Sequence, residues 1–444
     1  MSFTTAISGI NAQSEKLNVA GNNIANSQTV GYKSSSVRFA DVYAASRGIG
    51  VSVSDTRQDF TQGSVESTGR NLDLAIAGKG FYRLEQSSGE VGYSRNGEFS
   101  LAANGDIVNA QGAKLMGYGL DEEIKADTAD QLAFPFSDVL KGATKPLNVP
   151  ANDMPAKATT EVSTILNLDA TTTTGQDLSS VEVDVPPAGP PGTKLNYHFA
   201  NNFTAYDSLG NPINVATYYE RGANNQWTVT AVTEGQSRGQ FTLDFDTNGK
   251  ILTNAEGYVT GVGSSAGNGT IPGLTHNEDP DTGETTVNIP APGGTLANPL
   301  NIELKFDGST QFADNSLQKE LNQNGYASGA LVGIEVLADG TVMRNFSNEQ
   351  SAAAGQVVLA SFSNEEGLEP LGNNLWAATN TSGIANMGAP GVGQYGQIQA
   401  GAVEASNVEL AEELVNMIVA QRAYQANSNT ISTQDELLQT VINL

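Results

Sequence analysis

At 444 residues the chain exceeds a single ordinary core and implies two to four domains; 48 glycines with only 7% aromatic and 16% charged residues describe a turn-rich, β-leaning protein. A formal charge of −26 argues against nucleic acid, which needs a basic face, and against anionic membranes, and it suits a subunit that must stay soluble before it assembles. With no cysteine there are neither disulfides nor thiolate metal sites, and no stretch approaches 18 consecutive apolar residues, so no membrane insertion is expected.

The chain opens on a predicted helix over residues 3–26, mildly interrupted by Gly9 and Gly21. Phe3, Ile7, Ile10, Leu17 and Ile24 recur at spacings of 4, 3, 7 and 7, which is a heptad seam. Met1-Ser2-Phe3-Thr4 has no basic segment and no unbroken apolar run, so no cleavable signal peptide is visible. Asn23 and Asn26 sit where the helix should stop and can satisfy local backbone groups, and Gly31 permits the turn that follows. Residues 27–70, rich in glycine and serine, read as an extended connector with short strands.

From Leu72 the period changes to two. Leu72, Leu74 and Ile76 alternate, Gly78-Lys79-Gly80 turns, and Asn96-Gly97 and Asn104-Gly105 are hairpin signals between apolar runs. Thirteen of the 16 prolines fall between Pro146 and Pro299, marking a separate non-helical domain. Within it Phe241, Leu243 and Phe245 alternate, as do Ile302, Leu304 and Phe306, while Thr171 to Thr174 and Pro186 to Pro191 read as surface loops. Ile334-Glu335-Val336-Leu337, a turn at Asp339-Gly340 and Val357-Val358-Leu359 resume the earlier style. The chain ends on a second seam, Leu410, Leu414, Met417, Tyr424, Ile431 and Leu438, spaced 4, 3, 7, 7 and 7.

The fold class is therefore mainly β with α-helical termini, nested and multi-domain. The terminal helices, 1–30 and 405–444, form a coiled coil; 31–70 and 365–404 are connectors; 71–147 and 312–364 make a discontinuous β domain; 148–311 is an inserted outer β domain.

Signals for chemistry fail one by one. Gly391-Val392-Gly393-Gln394-Tyr395-Gly396 has dinucleotide-loop spacing but follows Met387-Gly388-Ala389-Pro390 rather than a strand. Gly78-Lys79 lacks the upstream glycine of a phosphate loop, since Asp73 stands there. Asp244, Asp246, Asn248 and Gly249 resemble the start of a calcium loop, yet its twelfth position is Ala255, so a polar hairpin turn is the better reading. His198 and His276 are the only histidines, and neither has a convincing serine or acid framework nearby in sequence. No catalytic, cofactor-binding or metal residue is expected.

The termini carry the information instead. Val408, Ala411, Val415, Ile418 and Val419 give the last helix a second apolar face, where a docked helix needs only one. Two stripes imply neighbours on both sides, as in a bundle or a tube wall. Residues 1–40 carry Lys16, Lys33 and Arg38 against Glu15, whereas residues 401–444 carry six acids against Arg422, so the ends attract. With too few partners in the free subunit, backbone entropy of about 1–2 kcal/mol per residue should keep these ends disordered. Neighbours burying each seam side chain, at roughly 1.5–3 kcal/mol, would reverse the balance.

Asn22-Asn23-Ile24-Ala25-Asn26-Ser27-Gln28-Thr29-Val30-Gly31-Tyr32-Lys33 resembles the N-terminal signature of the bacterial flagellar axial proteins, the family of rod, hook and hook-associated subunits. Phe39-Ala40-Asp41, Gln58-Asp59-Phe60-Thr61-Gln62-Gly63, Tyr93-Ser94-Arg95-Asn96-Gly97-Glu98-Phe99, Ser347-Asn348-Glu349-Gln350 and Leu359-Ala360-Ser361-Phe362-Ser363-Asn364 narrow the resemblance to its hook branch. Glu404-Ala405-Ser406-Asn407-Val408 and the stretch from Glu413 to Arg422 are similar to the family's C-terminal helix; the middle matches mainly at Tyr206-Asp207-Ser208-Leu209-Gly210-Asn211.

The resemblance implies a structural, non-enzymatic subunit of an extracellular tube that joins rod to filament and acts as a universal joint. It implies as partners further copies of the chain, the flagellar rod, the hook cap, the hook–filament junction proteins and the type III export apparatus, with no cleaved signal peptide. The residues expected to carry assembly are Phe3, Ile7, Ile10, Leu17, Asn23, Ile24, Asn26 and Gly31 with Leu410, Leu414, Met417, Ile418, Tyr424 and Leu438. Another axial protein such as the distal rod is the alternative within the class. From a different class, a secreted β-rich adhesin or carbohydrate-binding protein would show saccharide binding by residues 150–310.

Overall fold

The computed structural model describes residues 3–44, 47–119, 144–185, 192–265, 267, 271–291 and 298–442. The loop expected at Pro186–Pro191 lies outside them. The chain divides into two units, one of residues 1–151, 332–345 and 351–444, the other of 152–331 and 346–350.

The first unit begins with helix α1 (Phe3–Ala25), continuous through both glycines, and ends with helix α2 (Leu410–Ile442). After α1 come strands β1 (Ser35–Ala44) and β2 (Arg47–Gln58), paired antiparallel from Ser35 opposite Gln58 to Ala44 opposite Arg47. Bulges at Arg38/Phe39 and Val42/Tyr43 increase the twist of this long hairpin. A two-stranded ribbon alone is marginal in water, and α1 packs along both of its strands.

The body of the unit is a 13-stranded sheet system, with Leu74, Ile76, Tyr82, Leu84, Leu115 and Val357 fully buried beneath it. Alternation read from Leu72 is realised in strand Leu74–Ala77, which pairs with Gln397–Ala400. The turns at Gly78-Lys79-Gly80 and Asp339-Gly340 stand where the sequence puts them, with φ of +124° and +127° at Gly78 and Gly80 and +82° at Gly340. Asn104-Gly105 closes a hairpin in which Leu101 faces Ile107. Asn96-Gly97 does not. Its flanking strands Val91–Ser94 and Phe99–Leu101 pair elsewhere, and Gly97 O accepts from Leu74 N at 2.9 Å, an approach that a Cβ would block.

The stretches 31–70 and 365–404, expected as extended connectors with short strands, are largely paired. Besides the long hairpin, Val65–Ser67 pairs with Ala402–Glu404, and Gln397–Ala400 pairs with Leu74–Ala77. Val65–Ser67 and Gln397–Ala400 escape a local reading because their partner strands lie far away in sequence, whereas the two hairpin strands are consecutive.

Among the described residues the second unit has two larger sheets over one core, with a two-stranded ribbon, Ser179–Val183 against Thr193–Tyr197, over a smaller cluster at Val183, Leu195 and Val232. A five-stranded antiparallel meander runs from Phe199–Tyr206 to Val262–Ser264, and a six-stranded mixed sheet centres on Glu161–Asp169. Trp227, Phe241, Leu243, Ile302, Leu304 and Phe306 are buried between them, so both alternating triplets point inward. Asp207 caps its own loop, accepting from Leu209 N at 2.9 Å and Asn211 N at 2.8 Å.

In the first unit the nearly buried Asp106 carboxylate accepts from Asn148 Nδ2 at 2.8 Å, Asn104 Nδ2 at 2.9 Å and Lys114 Nζ at 2.8 Å. These bonds, Asn148's above all and then Lys114's, hold its pKa below the ordinary 3.8. The native state therefore gains stability that is complete above pH 3.8 and lost as pH falls through the lower native value. Asp106→Asn should lower the melting temperature at pH 7 and shrink the difference between pH 7 and pH 2.5, read by thermal unfolding of both proteins at both values.

Candidate functional site

Two contacts fix how α1 and α2 lie together. Asn23 Nδ2 donates to Glu413 Oε1 at 2.8 Å, and a Cβ on Gly9 would come within 2.8 Å of Asn427 Nδ2. Fourteen residues forward on one helix match fourteen backward on the other, so the pair is antiparallel. The buried side chains are small: Ala6, Ala12, Ala20 and Asn23 on α1, and Ala420 on α2. Small residues let the backbones approach closely, and they leave the large side chains outside the contact.

The heptad seams consequently do not zip together within the subunit. Phe3 and Ile7 are exposed, and Ile10, Leu17 and Ile24 are half-buried. On α2, Leu410, Leu414, Ile418, Tyr424 and Leu438 are exposed and Met417 is half-buried. Val415 and Val419 of the second stripe are exposed too. The other side of α1 meets the hairpin, where Val51 N donates to Ser8 Oγ at 3.2 Å.

Where the helix pair leaves the sheets, five distant segments meet around one carboxylate. Glu404 is fully buried; its Oε1 accepts from Lys33 Nζ at 2.7 Å and Gly63 N at 2.9 Å, and its Oε2 lies 3.2 Å from Arg95 Nε. Lys33, also fully buried, donates to Thr61 O, while Arg95 donates to the carbonyls of Gly80 and Gly78 at 2.8 Å and lies over the Phe81 ring. Burial pulls the Lys33 ammonium below its usual pKa, and Glu404 opposes that shift. The attraction between chain ends is thus concentrated in one internal ion pair.

Asn23 and Asn407 complete the junction. Asn23 bonds both Ser35 N (3.0 Å) and Ser35 O (2.8 Å), and it accepts from Tyr32 Oη at 3.2 Å. It is not the local helix stop that its position suggests; it clamps α1 to β1 and α2. Asn26 does act locally, donating to Asn22 O at 3.0 Å. Asn407 accepts from Ser34 N and donates to Asp59 O, both at 2.8 Å. Gly31 has φ of +69°, its N–H donates to Glu404 O at 2.7 Å, and any Cβ there would meet Asn96 N at 2.5 Å. Phe60 stacks edge-on against Phe81 and Trp376, at 5.5 and 5.6 Å, beneath the hairpin.

Sequence reasoning singled out Asn23, Asn26 and Gly31 here and missed Lys33, Arg95, Glu404 and Asn407. All four lie inside the stretches that carry the resemblance. Elsewhere, Asp246 Oδ1 accepts from Asn248 N and Lys250 N at 2.8 Å, which makes its loop a self-capped turn. Ser264 Oγ lies 2.8 Å from His276 Nδ1, a pairing not foreseen, and also accepts His276 N at 3.0 Å, as a staple between neighbouring strands.

Comparisons with known proteins point one way along the whole chain. Residues 3–33 match "Flagella basal body rod protein", 75–162 "Flagellar hook protein FlgE/F/G D1 domain", 167–326 "Flagellar basal body protein FlaE D2 domain" and 399–444 "Flagellar basal body rod FlgEFG protein C-terminal". The chain is 40% identical to the flagellar hook protein of Salmonella typhimurium and 38% to that of Escherichia coli, covering 100% of both chains in each case. It is 30% identical to the flagellar hook protein of Borreliella burgdorferi, covering 100% of this chain and 99% of that one.

Gly31→Ala should cost more than Gly401→Ala. Both glycines have positive φ, +69° and +71°, but only Gly31 has backbone in the way. The left-handed conformation alone costs about 1–2 kcal/mol. Chemical denaturation of both variants should place Gly31→Ala well beyond that range and Gly401→Ala within it.

Proposed function

The chain belongs to the flagellar hook protein family, and from that premise we propose that its terminal helix pair is the element through which subunits polymerise into the hook tube. The observation that carries this reading is the division of side chains on the helices. Alanines and a glycine close the pair inside the subunit, while Leu410, Leu414, Val415, Ile418 and Val419 stay exposed on α2 and Phe3 and Ile7 on α1. Contiguous exposed apolar surface of this kind marks an interaction site. Burying each such side chain is worth roughly 1.5–3 kcal/mol, so a few of them outweigh the ordering of the contact.

The buried junction has the complementary task. Asn23, Lys33, Arg95, Glu404 and Asn407 fix the direction in which the helices leave the sheets, so torque entering through the helices reaches the β body. In this reading the hook is a flexible curved tube with a structural rather than catalytic role. Its subunits work outside the cell, between rod and filament, and meet the rod, the hook cap and the hook–filament junction proteins. They leave through the flagellar export apparatus without a cleaved signal peptide. The domain plan proposed with it is a helical inner layer, a discontinuous β domain and an inserted outer β domain.

Ile418→Asp should separate folding from assembly. Ile418 is 49% exposed, so the substitution should shift stability by no more than about 0.5 kcal/mol. Electron microscopy under precipitant should show tubes from the unsubstituted chain and none from the variant. Normal tubes from Ile418→Asp would remove α2 from the assembly contact.

A further inference from the structure

In the second unit a histidine ties down a surface crossing. After strand Glu161–Asp169 the chain runs through residues 170–178 to strand Ser179–Val183, and this crossing is held against the end of strand Pro212–Arg221 by three side chains. Arg221 Nη1 donates to Ala170 O at 2.6 Å, and Thr174 Oγ1 donates to Gly222 O at 2.9 Å. His198 Nε2 lies 3.1 Å from Gln176 O and 3.3 Å from Thr173 O. The half-buried His198 is itself pinned, its N–H donating to Tyr219 O at 2.8 Å. Its ring stands edge-on to the fully buried Trp227, with centroids 6.1 Å apart.

These neighbours dictate where the ring carries its proton. Carbonyl oxygens only accept, so Nε2 holds the hydrogen that it donates to the crossing. On the other side Arg221 N lies 3.0 Å from Nδ1, and a backbone N–H only donates, so Nδ1 is bare. The neutral ring therefore uses both nitrogens, in a single tautomer. A second proton on Nδ1 would point at the Arg221 N–H and break that bond. It would also put a cation beside the Arg221 guanidinium, which lies 5.9 Å from the same Trp227 ring.

We propose that His198 is a pH-sensitive latch: neutral, it fastens residues 170–178 to the five-stranded meander, and protonated, it lets them go. The charged groups around the ring are few. Strand Pro212–Arg221 brings Arg221, which opposes a second positive charge, and Glu220, which favours one. Burial pushes the Glu220 carboxyl above its ordinary 4.5, against the pull of His198, so this support fades early as pH falls. The crossing brings Asp169, whose carboxylate already accepts from Thr171 N and Oγ1 at 2.7 Å, and the exposed Asp177. Strand Gln226–Thr233 brings Trp227 and no titratable residue. The latch is thus closed at neutral and alkaline pH, and it opens as pH falls through the range in which an imidazole ordinarily takes up its second proton. The change is local, because the meander strands on either side keep their own ladders. It alters a surface of the second unit and does not depend on how subunits assemble.

Hydrogen exchange of the full chain at pH 7.5 and pH 5, corrected for the intrinsic rate at each pH, tests the latch. The Arg221 N–H is the direct reporter because it donates to the ring, and residues 171–178 report the crossing. Protection at these amides should fall about tenfold at pH 5, while strand Gln226–Thr233 keeps its own. His198→Asn, whose carboxamide takes up no proton in this range, should show the same protection at both values. His276→Asn, which removes the other histidine of the chain, should behave as the unsubstituted protein does. Equal protection at both pH values in the unsubstituted chain overturns the proposal. A fall that persists in His198→Asn also overturns it, and assigns the effect to a carboxylate such as Glu220. If His198→Asn fails to fold, isotope-labelled histidine NMR of His276→Asn decides. The expected ring is neutral with its proton on Nε2 at pH 7.5 and charged at pH 5; a proton on Nδ1 at pH 7.5, or a ring still neutral at pH 5, overturns the latch.

Discussion

A single buried carboxylate holds the two ends of this chain together. Glu404 lies 371 residues from Lys33, and both are wholly inside the protein. Ions in such a place cost several kcal/mol each to desolvate, and only close pairing with complete hydrogen bonding offsets that. The surroundings meet much of the condition: Gly63 N, Thr61 O and the carbonyls of Gly78 and Gly80 take up further bonds of the three charged groups, while Glu404 Oε2 has the Arg95 guanidinium 3.2 Å away but no hydrogen bond. A buried triad of this kind is a poor source of net stability, but it tolerates little displacement. We take its value here to be positional: the N-terminal segment, the β2 exit, the Arg95 turn and the C-terminal segment can meet in only one arrangement.

That arrangement decides what the helices present to their surroundings. The pair leaves a point fixed by charges and by the Asn23 and Asn407 amides, and it is held internally by alanines. Large apolar side chains would have made a more stable isolated hairpin of helices. Small residues on the internal contact leave Phe3, Ile7, Leu414 and Ile418 exposed, the side chains proposed to meet neighbouring subunits. High net negative charge is consistent with keeping such a surface soluble until it is covered.

Much of this was legible in the sequence, for reasons that differ by element. The helices declared themselves through heptad spacing, and the sandwich core through strict alternation at Phe241–Phe245 and Ile302–Phe306, because both patterns are local. The pairing face of α1 was not legible. Alanines at 6, 12 and 20 carry almost no hydrophobic signal, so the eye follows the larger seam residues, which point elsewhere. The long hairpin was hidden by its glycines and serines and by many exposed positions, although its strands are consecutive. The junction was half visible: its residues stood inside four of the quoted signatures, but nothing in a lone Lys33, Arg95 or Glu404 announces burial beside an opposite charge. Asn96-Gly97 misled because its glycine serves a close backbone approach instead of a tight hairpin turn.

The central claim is that Lys33 and Glu404 act as one unit at the heart of the molecule. A double-mutant cycle of Lys33→Met and Glu404→Gln, followed by chemical denaturation, tests it most directly. Removing either partner of a buried pair costs roughly 3–5 kcal/mol because the other charge is left uncompensated. The account expects each single variant to lose that much and the double variant to lose far less than the two together, a strong favourable coupling. Single losses below about 0.5 kcal/mol that simply add would contradict it, since that is the behaviour of independent surface sites.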